Sequence, residues 1–307
     1  MIDLSVNIGP IKLKNPVMVA SGTFGYAQEA SPLVDLNALG GIITKSITPK
    51  ARAGNPPNRI VELPAGMLNS IGLANVGVEN FIKEKLPFLR TLQTVVIVNV
   101  AGATETEFLT VIERLNDEEG IDGYELNYSC PNVEEGGLEF SQNEKVAARV
   151  TAAIRKATSR PLIVKLTPNV TKVGEVARAA EQNGADALSL INTLVGMSVD
   201  IESRRPKIPA ATAGYSGPAI KPVALAKVYE AVQSVGIPVI GIGGIMNGQD
   251  ALEFLITGAR AIQVGTANFI NPAVGLHIVK ELLDYCKRCH LSAISEVIGS
   301  LKVGDAE

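Results

Sequence analysis

A cysteine, a set of side-chain amides, two lysines and two glycine-rich turns are the residues of this sequence that could do chemistry. Cys130 stands in Ser-Cys-Pro-Asn (129–132), just past an apolar run and on a polar, proline-containing segment. A free cysteine is ordinarily a buried small hydrophobe, so this setting is unusual. A thiol has an ordinary pKa of about 8.5 and can act as a base where its site tunes it. The two histidines, His277 and His290, are remote in sequence, which disfavours a cysteine–histidine nucleophile pair. Lys45, Asn99, Asn127, Lys165 and Asn192 each lie late in, or just past, an apolar run. A polar group so placed is costly unless paired. One such asparagine is ordinarily a local hydrogen-bonder, but five on successive runs read as a ring of donors on one face. Two lysines in that ring imply an anionic or electron-rich ligand. Glu125 lies two residues before Asn127, hence on the same side of an extended run. It could pair with Lys165, which would make that pair purely structural. Gly-Ile-Gly-Gly (241–244) and Gly265-Thr266 fit phosphate binding through backbone N–H groups and a helix N-terminus. Taken alone, the first could be only a tight turn. With no Walker lysine motif, a nucleoside triphosphate is disfavoured.

The elements that must position these residues follow from the apolar pattern. Eight short runs rich in Val, Ile and Leu cover 16–21, 41–46, 95–100, 123–128, 161–166, 186–191, 238–243 and 261–266. Continuous apolar runs suit parallel strands covered on both faces. Between them, apolar residues at i, i+3, i+4 spacing predict helices over 107–119, 143–157, 173–183, 219–233 and 248–257. Before them, alternation around Gly9-Pro10 predicts a β-hairpin within Ile2 to Leu13. Strand then helix, repeated eight times, predicts a single α/β domain over 1–307: a (β/α)8 TIM barrel with an N-terminal β-hairpin. An open doubly wound sheet is the alternative, but it would carry a GxGxxG after its first strand. Long segments follow strand 2 (47–80), strand 4 (130–140) and strand 6 (193–218), at the face where barrel active sites sit. The segment 130–140 is the candidate lid.

Composition narrows the function classes. A net charge of −3, no Trp and 4% aromatics offer no footprint for nucleic acid. No apolar run approaches the roughly 20 residues that span a bilayer. The first residues lack the apolar core of a signal peptide. Three cysteines make no disulfide framework, so a cytoplasmic, reducing location is expected. Cys286 and Cys289 form a CxxC that could be redox-active or half a metal site. The plainer reading is two thiols on one face of a terminal helix, and no resident metal is expected.

Ser129-Cys-Pro-Asn132 after strand 4, Asn-Ser-Ile-Gly-Leu-Ala-Asn (69–75), Ile191-Asn-Thr193 and Gly-Ile-Gly-Gly together resemble dihydroorotate dehydrogenases of class 1. The likeness runs from Ala20-Ser-Gly22 to Gly265-Thr-Ala-Asn-Phe269. The stretches CPNVEEGG, INTLVGM and ASGTFG are most similar to the class 1B catalytic subunit. The resemblance implies FMN contacts by Ala20, Ser21, Lys45, Ser46, Asn99, Asn127, Lys165 and Ile191, with its phosphate at Gly217, Gly243, Gly244, Gly265 and Thr266. It implies dihydroorotate held by Lys45, Asn69, Ser70, Ile71, Gly72, Leu73, Asn127, Asn132, Asn192 and Thr193. Cys130 would take the C5 proton while the C6 hydride passes to flavin N5, in de novo pyrimidine biosynthesis. Amide side chains suit the planar, amide-rich orotate ring. Class 1B implies a homodimer core with a partner subunit carrying FAD and a 2Fe-2S cluster, forming a heterotetramer that passes electrons to NAD. This chain carries neither a dinucleotide fingerprint nor clustered cysteines for such a cluster. A class 1A enzyme using fumarate, an FMN-dependent dihydropyrimidine dehydrogenase and a flavin-free phosphate-binding lyase or isomerase are the alternatives. Tyr128 stands where the family pattern has Ile or Leu, and Ala74 where it has Gln.

Overall fold

In the computed structural model, which describes residues 2–129, 131–132 and 138–304, eight parallel strands close into a barrel. They are Val17–Val19, Gly41–Ile43, Val95–Val100, Gly123–Asn127, Leu162–Lys165, Ala187–Leu190, Val239–Ile242 and Ala261–Val264, here barrel strands 1 to 8. Each pairs with its neighbour in chain order, and strand 8 returns to strand 1 through Ile262↔Val17 and Val264↔Val19. All eight lie inside the apolar runs. Strands 5 to 8 are buried at every position, as a parallel strand beneath a layer of helices must be.

The five expected helices are present, with ends set by capping. Asn143 accepts from the N–H groups of Lys145 and Val146, so that helix begins at Glu144. Thr104 accepts from Glu107 N–H and starts the next-earlier helix at Glu105, two residues ahead of the apolar pattern. Pro218 opens a 3₁₀ turn ahead of the helix Lys221–Val232. Gly258, at φ +117°, ends the helix Gly248–Thr257. The strict eightfold alternation is corrected in one place. Among the described residues, strand 1 is followed by turns and the 3₁₀ turn Leu36–Ala38 instead of an α-helix. Its connection holds Gly22, Gly25 and Pro32, with Ala27 at φ +70°, which suits turns and breaks a helix. The helical layer after strand 2 comes late, over 77–89. The hairpin forms as Val6–Ile8 against Ile11–Leu13, with Gly9 at φ +61° in its turn.

The segments after strands 2 and 6 build one structure together. Ile60–Leu63 and Gly66–Asn69 from the first pair with Thr212–Ser216 and Leu194–Met197 from the second, in an antiparallel sheet of four. Asn69 lies opposite Gly214, across some 145 residues of sequence. Among the described residues, no helix is long and apolar enough to cross a membrane.

Helix and barrel meet closely at one point. Phe254 is fully buried, and a methyl group on Gly241 of strand 7 would overlap its ring. Phe254→Ala is expected to cost about 3–5 kcal/mol, and Gly241→Ala about 1–3 kcal/mol by overpacking. In the Phe254→Ala background, Gly241→Ala should become nearly neutral. Urea midpoints at constant m-value check this, and additive losses would show that the two do not share a contact.

Candidate functional site

The barrel's C-terminal ends open into a cleft of about 230 Å³ that is open to solvent on one side. Barrel strands 1, 5, 6, 7 and 8 contribute Ala20 and Ser21, Lys165, Ile191 and Asn192, Gly243 and Gly244, and Gly265 and Thr266. Asn69, Ile71, Thr193 and Gly217 come from the two insertions. Thirteen residues expected at the site therefore meet on one surface.

Beneath the cleft lies a buried polar layer. Glu125 is fully buried and accepts from Asn99 Nδ2 at 2.7 Å, Ser189 Oγ at 2.8 Å and Gln263 Nε2 at 2.6 Å. Lys165 Nζ lies 3.7 Å from its Oε1. A buried ion costs several kcal/mol unless its lone pairs are met. Here strands 3, 5, 6 and 8 meet them, so Glu125 and Lys165 are paired. Lys165 also lines the cleft, and among the described residues no acceptor lies within hydrogen-bond distance of its ammonium. One member of the pair, Lys165, is thus shared between the buried layer and the cleft.

Asn99 is engaged on both sides, since its Oδ1 accepts from Ser46 Oγ at 2.6 Å. Asn99 and Ser46 sit under the cleft and do not line it. Asn192 Nδ2 donates to Asn127 Oδ1 at 3.1 Å, which joins strands 4 and 6 at the mouth. Ser70, Gly72 and Leu73 lie behind the cleft wall. Asn55 Nδ2 donates to Ser70 Oγ at 2.7 Å, a methyl on Gly72 would strike Asn55, and Leu73 packs on the core. Ala74 packs its methyl beside Gly54 in the same brace, so the loop is tied without the expected Gln. Lys45 makes no side-chain hydrogen bond among the described residues. Desolvation first, and then the Arg59 charge, holds its pKa below the ordinary 10.5, with Glu29 opposing.

Cys130 and most of the candidate lid lie outside the described residues, as does the side chain of Asn132. The flanks of that segment are fixed. Ser141 donates to the Tyr128 carbonyl through its N–H at 3.0 Å and its hydroxyl at 3.1 Å. The Tyr128 ring packs edge-on against Phe108 at 5.9 Å, and its hydroxyl meets Thr151 Oγ1 at 2.9 Å. Burial raises the Tyr128 pKa far above the usual phenol range. The unexpected tyrosine is therefore a neutral anchor. Cys286 is buried and Cys289 exposed at the end of the helix Val274–Arg288. Among the described residues, no cluster of His, Cys, Asp and Glu could hold a metal.

The glycines of strands 7 and 8 differ in what they are for. Gly244 has φ +74°, and a methyl there would come within 2.8 Å of Lys221 N. Gly265 has no such need, since a methyl would meet only Ala20 Cβ at 3.7 Å and Thr23 Cγ2 at 3.9 Å, inside the cleft. Among the described residues, the N–H groups of Gly265 and Thr266 find no acceptor. Space and free donors at one rim fit a phosphate. Sequence reasoning missed Thr23, Ile60, Met67, Ser216, Met246 and Phe269, which also line the cleft. Ser216 receives Thr266 Oγ1 at 2.9 Å. Only its place before Gly217, in the second insertion, could have signalled it.

Known proteins are similar over almost the whole chain. The family model for dihydroorotate dehydrogenase matches residues 3–285. A Geotalea daltonii protein named dihydroorotate dehydrogenase B (NAD(+)), catalytic subunit, is 53% identical over 301 residues, covering 98% of this chain and 99% of that one. Proteins of the same name from Thermoanaerobacter sp. and Bacteroides fragilis are 51% and 50% identical, covering 98% and 99% of this chain and all of their own. A crystal structure of the Eimeria tenella enzyme in complex with ferulenol superposes with a TM-score of 0.83 at 24% identity, covering 97% of this chain and 88% of that one. At that identity it supports the fold alone.

Two outcomes follow. Gly265→Ala should keep wild-type stability but weaken phosphate-ligand binding at least tenfold, whereas Gly244→Ala should lower stability by about 1–3 kcal/mol through strain. Thermal melts and ligand titrations separate them, and equal effects on both would remove the distinction. Lys45 binds an anion only as an ammonium, and its lowered pKa moves the loss of that charge to lower pH. Affinity for a carboxylate ligand should fall as pH rises toward the ordinary lysine range, and Lys45→Met should abolish that alkaline limb.

Proposed function

This chain belongs to the dihydroorotate dehydrogenase family, and from that membership we propose that it oxidises dihydroorotate to orotate in pyrimidine biosynthesis as an FMN-dependent catalytic subunit. The observation that carries the reading is full-length identity of about half to proteins named as the B-type, NAD(+)-dependent catalytic subunit. The cleft fits the cofactor. Gly265 leaves room that a methyl would fill, free N–H groups suit the phosphate, and Lys165 offers an ammonium to the ring system. FMN, when bound, supplies the hydride acceptor.

The chain's own residues do the rest. The Asn127–Asn192 pair and Asn69 present amide groups at the mouth, matched to a ring whose edge alternates N–H and C=O. Lys45, without an ion pair among the described residues, takes the substrate carboxylate. Ser70 and Ile71 hold the substrate loop, Leu73 and Gly72 set its turn, and Thr193 and Asn132 complete the contacts. Cys130, on the segment anchored by Tyr128 and Ser141, removes the C5 proton as the C6 hydride departs from the other face. A positioned general base contributes roughly 10²–10⁴ in rate.

Electrons leave through a partner subunit bearing FAD and a 2Fe-2S cluster on the way to NAD, in a heterotetramer built on a homodimer of this chain. The word "subunit" in the relatives' names supports this. So does the absence of a dinucleotide fingerprint from the sequence. The chain works in the cytoplasm as a single domain, and the free thiols Cys286 and Cys289 fit a reducing compartment.

Anaerobic mixing with dihydroorotate should bleach the flavin absorbance, and dihydrouracil should not. Cys130→Ala should retain FMN and slow that bleaching by roughly 10²–10⁴. Undiminished reduction in the variant would place the base elsewhere. Fumarate-dependent turnover by the isolated chain would overturn the NAD-linked assignment.

A further inference from the structure

We infer that Glu125, which touches neither ligand space nor solvent, is a positioning and charge-tuning residue that lowers the reduction potential of the flavin by opposing Lys165. The inference rests on FMN occupying the cleft as proposed above. Lys165 is the one side chain shared by the cleft and the buried layer beneath it. Its ammonium favours the negative charge that a flavin ring gains on reduction. The Glu125 carboxylate, 3.7 Å behind it, opposes that charge through a poorly screened interior. The carboxylate cannot turn away, because Asn99, Ser189 and Gln263 hold its two oxygens from three other strands.

The arrangement is more than is needed to bury a lysine. A single acceptor would serve that purpose, yet the barrel assembles three neutral donors on a fully buried carboxylate and leaves the ammonium itself without a hydrogen bond among the described residues. The donors fix the anion's place, and the ammonium stays available to the ligand. Gln263 supplies a second sign. Among the described residues its Oε1 is buried without a partner, so the hydrogen bond it donates to Glu125 is what orients its amide.

Glu125→Gln is the direct test, since it keeps shape and removes charge. Gln263 can turn its unpartnered Oε1 to accept from the new amide, so the layer stays bonded. With FMN content measured by absorbance after denaturation, and the potential by equilibration with a reference dye, Glu125→Gln should shift the potential upward. The oxidised-to-reduced balance should move by on the order of tenfold. Lys165→Met should shift it downward, and the double variant should fall between them. Titration of apoprotein with oxidised FMN should show no more than a few-fold change for Glu125→Gln. The swap Glu125→Gln with Gln263→Glu returns the carboxylate to the same layer from strand 8. It should restore the potential toward wild type, and it serves as the test if the single variant does not fold. A purely structural role predicts that Glu125→Gln misplaces Lys165 and moves the potential in the same direction as Lys165→Met. A downward or absent shift with FMN bound, or a folded swap displaced as far as the single variant, overturns the inference. Failure of the wild-type chain to bind FMN at all would instead overturn the proposed function.

Discussion

A carboxylate at the centre of a closed barrel must be met on every side, and the way this chain meets Glu125 organises what lies above it. Its oxygens take hydrogen bonds from strands 3, 6 and 8, and its charge is balanced from strand 5. Bonds to an ionised group contribute about 1.5–3 kcal/mol each, and losing one partner exposes the desolvation cost of the rest. Register slips of one residue in any of those strands would turn its polar side chain to the outer face. The layer therefore fixes four strands relative to each other at the height where the ligand space begins. Asn99 extends it to Ser46 and the end of strand 2. Lys165, as its uppermost member, is the point where the fold's internal electrostatics reach the cleft.

That dependence explains which parts of the molecule were legible in the sequence. The eight barrel strands were, because a parallel strand beneath helices writes an unbroken apolar run that few other environments tolerate. The polar residues at their ends were legible for the complementary reason, since Asn127 or Lys165 interrupts such a run only where something pays for it. Side-chain alternation placed Glu125 on the face of Asn127 and left its pairing with Lys165 as an open reading, which the structure shows at 3.7 Å. What the runs could not carry was partnership between distant segments. Asn69 lies opposite Gly214 in the sheet, with its side-chain amide donating to the Gly214 carbonyl at 3.3 Å, and strand pairing itself is nearly blind to side-chain type. Thus two insertions that read as separate long loops form one sheet. Ile60, Met67 and Ser216 become cleft residues through that sheet alone, and no local signal marks them. The turn-rich stretch after strand 1 failed differently. Its alternating small residues satisfied the count of a βα unit without the spacing of a helix.

The sheet over the mouth and the layer beneath it divide the work of specificity. The roof is held by backbone bonds and by the brace from Asn55, whose N–H donates to Ile71 O at 3.1 Å while its amide takes Ser70. Gly54 lies against Ile71 O and Ala74, and Gly72 against Asn55, at φ +77° and +69°, with no room for a side chain at either position. The loop 69–75 is thus tied along its back, with Asn69 and Ile71 lining the cleft on its front edge. A loop ordered in this way loses little conformational entropy when a ligand arrives, and more of the contact energy appears as affinity.

The same economy bears on the role of base proposed above for Cys130. A base on an untethered loop would spend rate on being positioned, and misplacement by about 1 Å can cost roughly 10²-fold. Here the segment leaves the barrel at Tyr128 and returns at Ser141, whose N–H and hydroxyl both hold the Tyr128 carbonyl. Ser141 Oγ also accepts from Thr167 N–H, beyond strand 5. Entry and exit are therefore one point, fastened to the strand that carries Lys165. An aromatic cluster of Phe108, Tyr128 and Phe140 packs that point into the core. Tyr128 serves this better than the aliphatic residue of the family pattern, because its hydroxyl reaches Thr151 and ties the anchor to the helix Glu144–Ala157 as well.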